Sequence, residues 1–262
     1  MKGLNLSSIL LSILILYSYP TMSLAHFGLL YPSEVVVTEQ PESNIEILIA
    51  FCHPFEQNGM DMVRPESFGL FLHGKKYDLS GTLKQTEYLG HKAWRAEYQV
   101  RRPGDHIFFV IPTPYWEELE GKYIQHVTKV IINGYGLEND WNRPVGLPQE
   151  IVPLTRPYGI WTGNLFCGRV LFDGRPKAGV DVEIEHLNQK GARIIAPKET
   201  FITQVVQTNE NGEFCYSIPY HGWWGFAALS EKENAMRHQG KDVPLERGAV
   251  IWVEAADPKA GD

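Results

Sequence analysis

The stretch Asn44-Ile45-Glu46-Ile47-Leu48-Ile49-Ala50-Phe51 decides the class of fold. Ile45, Ile47, Ile49 and Phe51 recur at every second position, with Glu46 and Leu48 between them. Successive side chains of a strand point to opposite faces, so a period of two marks a half-buried strand. The same reading extends outward. Residues 68–72 and 76–83 flank Gly74 and predict a hairpin. Residues 92–100 and 106–111 predict two more strands, broken at Arg102-Pro103-Gly104-Asp105, and 123–132 another. Residues 117–121 read as one helical turn, and no long amphipathic helix is visible.

Pro144, Pro148, Pro153 and Pro157 then follow within fifteen residues. That spacing forbids a central strand or a helix and reads as an extended connector. Beyond it, 165–172, 180–186, 201–208, 213–218, 223–229 and 249–254 read as short strands, with turns at 173–176 and 209–212. The expectation is therefore all-β. Two β-sandwich domains are predicted, one at residues 26–157 and one at 158–257, followed by a tail at 258–262. Gly168 to Phe172, Asp173 to Pro176, Gly179 to Ile184 and Thr208 to Phe214 run as a strand, D-G-x-P, a strand and T-x-x-x-G-x-F. This order resembles the carboxypeptidase regulatory-like and prealbumin-like domains, which implies a fold for the second half and no activity.

The chain has 262 residues and a formal net charge of −7. With 44% hydrophobic residues it can build a packed core, and its acidic balance without Lys or Arg runs argues against nucleic acid as its main partner. Its start reads as an address. Lys2 is followed by the apolar run 9–17 and by Ser23-Leu24-Ala25, a small-x-small site. Residues 1–25 are expected to be a secretory signal cleaved after Ala25, sending the mature chain to the periplasm without a membrane span.

Cleavage there would make His26 the first residue. Its free amine and Nδ1 close a six-membered chelate on a metal, and an α-amine near pKa 7.7–8.0 yields its proton to a metal at neutral pH. Three cysteines, Cys52, Cys167 and Cys215, allow one internal bridge, and Cys167–Cys215 is the expected pair. Cys52 then stays free, either a small buried hydrophobe or a ligand.

Nine histidines are present, six of them before residue 157. Imidazole suits Ni(II), Co(II), Cu(II) and Zn(II). His53 ends a strand before Pro54, and His91 starts one after Gly90. His126 lies on the apolar face of its strand with Ile124, Thr128 and Val130. An inward imidazole needs a partner, whether metal, carboxylate or carbonyl. His73 and His106 read as structural, and Glu117, Glu118 and Glu120 as a solvated acidic face. No H-E-x-x-H, G-x-S-x-G, phosphate loop or C-x-x-C occurs, so no enzyme is expected.

Several segments combine into a resemblance: Ala25-His26-Phe27-Gly28, Phe51-Cys52-His53-Pro54-Phe55-Glu56, Gly59-Met60-Asp61-Met62, Gly90-His91-Lys92-Ala93-Trp94 and Pro114-Tyr115-Trp116-Glu117. His126-Val127-Thr128-Lys129, Glu150 to Pro157 and Gly222 to Leu229 complete it. The chain resembles the periplasmic K-type component of bacterial nickel/cobalt uptake systems, a DUF-type family linked to nickel transport. The resemblance implies extracytoplasmic capture of Ni(II) or Co(II) and delivery to an energy-coupling-factor (ECF-type) permease in the membrane. Carried onto this sequence, the candidate metal ligands are His26, by amine and imidazole, His53 and His126, with His91 as a fourth. Where a serine is usual at the family's strand end, this chain has Cys52.

Two other readings stand beside this one. The same N-terminal histidine serves a copper protein of the histidine-brace kind. Trp223-Trp224 between Gly222 and Gly225, with Trp116, serves a carbohydrate-binding or adhesive module.

Overall fold

A computed structural model describes residues 26–39, 43–189 and 194–259. The expected signal, residues 1–25, lies outside the described residues, as do 260–262 of the tail. The first half runs through β1 (Phe27–Pro32), β2 (Val36–Val37), β3 (Asn44–His53), β4 (Asn58–Met60), β5 (Ser67–Leu72) and β6 (Lys75–Asp78). It continues with β7 (Lys84–Tyr88), β8 (His91–Gln99), β9 (Gly104–Ile111), β10 (Tyr115–Glu117) and β11 (Lys122–Gly134). Then come β12 (Gln149–Pro153), β13 (Ile160–Trp161), β14 (Leu165–Phe172), β15 (Arg175–Pro176) and β16 (Asp181–His186). The chain ends with β17 (Gln204–Gln207), β18 (Glu213–Ser217), β19 (Gly222–His238) and β20 (Lys241–Ala256). Two 3-10 turns, Ser80–Thr82 and Glu199–Phe201, are the helical segments among the described residues. The fold is all-β, as the alternation predicts.

Three sheets stack in layers. A central sheet runs β17-β16-β19-β20-β11-β9-β5-β6, and β1-β3-β8-β7 and β12-β14-β15 form the outer two. The central strands are apolar on both faces, so each face is covered. Phe68, Leu70, Phe108, Val110, Val250 and Trp252 pack against Leu29, Ile47 and Ile49 of the first outer sheet. Their neighbours Phe71, Ile107, Phe109, Ala249 and Ile251 pack against Ile151, Phe166 and Val170 of the second. Cys167 and Cys215 face each other across β14 and β18 and are bridged, while Cys52 is free and buried.

The central sheet crosses the position near Pro157 where the chain was divided. β20 of the second half lies parallel to β11 of the first, from Tyr123 opposite Leu245 to Val130 opposite Trp252. β12 within the proline stretch is paired with β14 at the end of its sheet. That edge position tolerates Pro153, which cannot donate to a ladder.

Three expected elements change. The strand expected at 201–208 shortens to Gln204–Gln207, because Phe201 closes a 3-10 turn. The second strand of the first hairpin stops at Asp78, whose carboxylate accepts the Ser80 N–H and starts a 3-10 turn. The strands expected at 223–229 and 249–254 grow into one long hairpin around Gln239-Gly240. Both turn residues have positive φ, at 47° and 83°, as a tight hairpin turn needs. The arm carries Glu231, Lys232, Glu233 and Arg237, so hydrophobic alternation does not reveal it; backbone pairing with the opposite strand makes it.

Asp105 of β9 ties the loop after β11 to the sheet. Fully buried, it accepts the backbone N–H groups of Asn139, Asp140 and Trp141 on Oδ2. Its Oδ1 accepts Asn133 Nδ2 and the Tyr158 hydroxyl. Asp105→Asn turns an acceptor into a donor facing donors. It is expected to cost about 2–3 kcal/mol in urea unfolding, since buried donors lose their partner. A loss under about 0.5 kcal/mol, within the range of ordinary surface substitutions, would show that the loop does not depend on this carboxylate.

Candidate functional site

Two glycines create the site. Gly28 lets β1 cross closely over β11, since a Cβ there would collide with the Thr128 hydroxyl and press on His126. The crossing is fixed by the Trp252 indole N–H, which donates to the Gly28 carbonyl at 2.8 Å. His26, two residues earlier, is thereby carried over the end of β11. Gly248 stands opposite His126 in β20 and leaves room for the imidazole, where a Cβ would overlap the ring. β1 pairs with β3 up to Phe27 opposite Cys52, so His26 and His53 emerge at the same end of neighbouring strands.

The result is a cluster around Phe51. The His26 and His53 ring centroids are 4.6 Å apart. Phe51 lies 5.7 Å from the His26 ring and 5.9 Å from the His126 ring. His26 and His53 are each 9% exposed and His126 is 1% exposed. Burial, then the neighbouring His53 and His126, push the His26 imidazole down to about 4, so it is neutral at pH 7.

Carboxylates surround these rings. His26 Nε2 lies 3.2 Å from Glu117 Oε2, and His126 Nε2 lies 3.0 Å from Glu246 Oε1. Lys122 sits 2.6 Å from both Glu120 and Glu246. Burial opposes the Glu246 charge, but His126 and Lys122 outweigh it and hold the carboxyl at about 2. Glu246 is therefore ionised and accepts from His126 Nε2. The buried Nδ1 has no hydrogen-bond partner among the described residues. An imidazole oriented through one nitrogen by a carboxylate and open at the other is the arrangement of a metal-ligating histidine.

The second half also clamps the turn after His53. Asn188 N–H donates to the Pro54 carbonyl, and Asn188 Nδ2 donates to that of Phe55. Buried Glu185 accepts the Phe55 N–H and the Thr203 hydroxyl.

The structure brings together His26, His53 and His126. His91 stands apart, 46% exposed on its side chain, with Nδ1 3.4 Å from Asp61 Oδ1. Burial pushes the Cys52 thiol up, away from the thiolate a metal needs. The acidic face expected at 117–120 is corrected at Glu117, whose side chain is 12% exposed and turned onto His26. Trp223 and Trp224 are buried core residues, the latter donating to the Tyr220 carbonyl, so they offer no stacking platform. Among the described residues, no group of three or more His, Cys, Asp or Glu side chains is arranged so that it could hold a metal ion.

The family model described as a domain of unknown function, DUF4198, matches residues 23–232. The chain belongs to the DUF4198 family. No curated protein matches it. Among solved structures, this DUF4198 chain is similar to a 1.5-MDa bacterial ice-binding adhesin, at 10% identity and a TM-score of 0.25. That alignment covers 89% of this chain and 66% of the adhesin chain, just under two thirds of its length. The D0-D1 domain of intimin aligns at 11% identity and a TM-score of 0.21, covering 87% of this chain and 99% of that one. Fibronectin(III)-like modules of Clostridium thermocellum CbhA align at 9% identity and 0.21, covering 89% and 98%. Scores this low carry no argument about the site of this DUF4198 chain.

Glu246, Gly248 and Gly28 are the site residues that sequence reasoning missed. The strand carrying Glu246 is charged and gives no apolar alternation. The His126–Glu246 pair spans 120 positions, so no local motif could have shown it.

Proposed function

We propose that this protein binds Ni(II) or Co(II) outside the cytoplasm and hands the ion to an ECF-type permease in the membrane. One observation carries the reading: His126 is buried, its Nε2 is held by Glu246, its Nδ1 has no hydrogen-bond partner among the described residues, and its ring stands with those of His26 and His53 around Phe51. Imidazole nitrogens suit a borderline ion that must later be released. Cleavage after Ala25 adds the His26 amine as a fourth nitrogen, and ligation turns His26 away from Glu117. The Cys167–Cys215 bridge supports an oxidising compartment. No helix among the described residues is long and apolar enough to cross a membrane. The role is carriage rather than catalysis, and the permease is the partner it requires.

The test is calorimetric titration of Ni(II), Co(II) and Cu(II) into protein exported with its own leader, its N-terminus confirmed by sequencing. The control carries one glycine inserted between Ala25 and His26. Submicromolar Ni(II) or Co(II) binding is expected, and the glycine should weaken it at least tenfold, about 1.4 kcal/mol. Binding of Ni(II) and Co(II) no tighter than micromolar overturns the reading. Equal binding by both forms removes the amine and leaves the imidazoles. Tight Cu(II) binding is expected of any such nitrogen site and does not decide the cargo.

A further inference from the structure

We propose that the cleft between β5, β6 and the end of β8 binds a small organic carboxylate with an apolar body, its head held by Arg101 and Arg102. The cleft measures about 370 Å³. It lies at the end of β3 where Asn44 pairs with Gln99, opposite to the end that carries His53. The inference is therefore independent of the metal-binding reading.

Two features select the ligand. The first is the floor. Leu70 and Leu72 of β5 line the cleft although they belong to the core and are 2% and 3% exposed, and Leu79 continues their surface. Tyr77 and Tyr98 line it too, the latter packed edge-on against Phe108 with ring centroids 5.2 Å apart. Small-molecule sites are mostly apolar clefts of roughly 300–1,000 Å³ with a few placed polar groups, and this cleft falls in that range.

The second feature is the rim. Arg101 and Arg102 line the cleft, and both are exposed. Arg101 Nε donates to Gln99 Oε1 at 2.7 Å, which steadies the side chain and leaves its other N–H groups to a ligand. Neither guanidinium is paired with a carboxylate among the described residues. Glu97, the acidic group on the wall, is already met by Lys84 at 3.0 Å. Burial raises the Tyr98 phenol, and the Arg102 and Arg101 charges act against that rise, so both charges stand near its hydroxyl. A guanidinium takes a carboxylate through paired N–H···O bonds. A bare inorganic anion would leave the leucine floor in water, and a neutral apolar molecule would leave both charges unmatched.

The experiment is calorimetric titration of the exported protein with octanoate, acetate, octanamide and inorganic phosphate. Octanoate should bind tighter than millimolar. It should bind at least tenfold better than acetate, which lacks the body, than octanamide, which lacks the charge, and than phosphate. Arg101→Ala combined with Arg102→Ala removes two exposed side chains and should keep the fold, as a urea unfolding curve checks. The double variant should weaken octanoate at least tenfold and leave octanamide unchanged. Glutamine at both positions keeps the side-chain length, loses the charge and should do the same. Octanoate binding no tighter than acetate or octanamide overturns the proposal. So does phosphate binding as tightly as octanoate, and so does undiminished octanoate binding by a folded arginine variant. None of these outcomes bears on the Ni(II) titration, so the two readings fail separately.

Discussion

Replacing Lys129 by alanine is expected to lower the stability of the fold by about 3–5 kcal/mol, the cost of breaking a buried pair by removing one partner. Lys129 projects from β11 between Val127 and Ile131 and is 1% exposed. Its ammonium lies 3.0 Å from Glu150 on β12, a residue also 1% exposed. Glu150 accepts the N–H groups of Val145 and Gly146 as well, so the carboxylate is fixed from three sides. Burial pulls the Lys129 ammonium below its ordinary range even beside its partner. Burial also opposes the Glu150 charge, but Lys129 and the two backbone donors outweigh it and bring that carboxyl below its ordinary value.

The sign of the pH dependence follows from that depression. A carboxyl with a lowered folded pKa contributes stability above its unfolded value, about 4.3, and loses it as pH falls through the folded value. The gap between the parent protein and Lys129→Ala should therefore be widest near pH 7 and close in acid. Urea unfolding at pH 7 and pH 3 measures both. A deficit below about 1 kcal/mol at pH 7, in the range of an exposed pair, would mean that the two sheets do not depend on this contact.

The second large effect concerns the metal. His126→Ala is expected to weaken Ni(II) or Co(II) binding at least 100-fold, about 2.7 kcal/mol. His126 is 1% exposed, its Nε2 lies 3.0 Å from the ionised Glu246 carboxylate, and its Nδ1 has no competing hydrogen bond among the described residues. Losing it removes a ligand and a wall of the site together. Glu246→Gln keeps the ligand and weakens its orientation, so a smaller loss of 10–100-fold is expected. Calorimetry beside a urea unfolding curve separates lost binding from lost folding. A folded His126→Ala protein that binds as the parent does would remove His126 from the site.

Much of the fold was legible because strands announce themselves by period. β3, β8, β9, β14 and β16 fall close to where alternating residues place them. Local chemistry marked the turns at Asp173-Gly174 and Asn209–Gly212, where Gly174 and Gly212 hold φ near +74° and +73°. The Cys167–Cys215 pair followed from arithmetic and neighbouring strands. The long hairpin at Gly222–His238 and Lys241–Ala256 was read too short, because its outer part is charged and depends on cross-strand hydrogen bonds.

The candidate site divides in the same way. His26, His53 and His126 could be singled out from a cleavage point, a strand end and an inward-facing position. His91, chosen on its likeness to His53, starts β8 at the sheet end where β3 finishes, but its side chain is 46% exposed and faces Asp61. By itself the sequence determined residue-level matters: the all-β class, the inward side of each strand, the cysteine pair and the histidines worth testing. These depend on local periodicity and composition, which the chain carries with it. Tertiary structure alone decided the rest. It placed β20 beside β11, set Glu246 behind His126, and used Gly28 and Gly248 to clear the space where three strands converge. Those relations join residues about a hundred positions apart or more, and they exist only once the sheets have stacked.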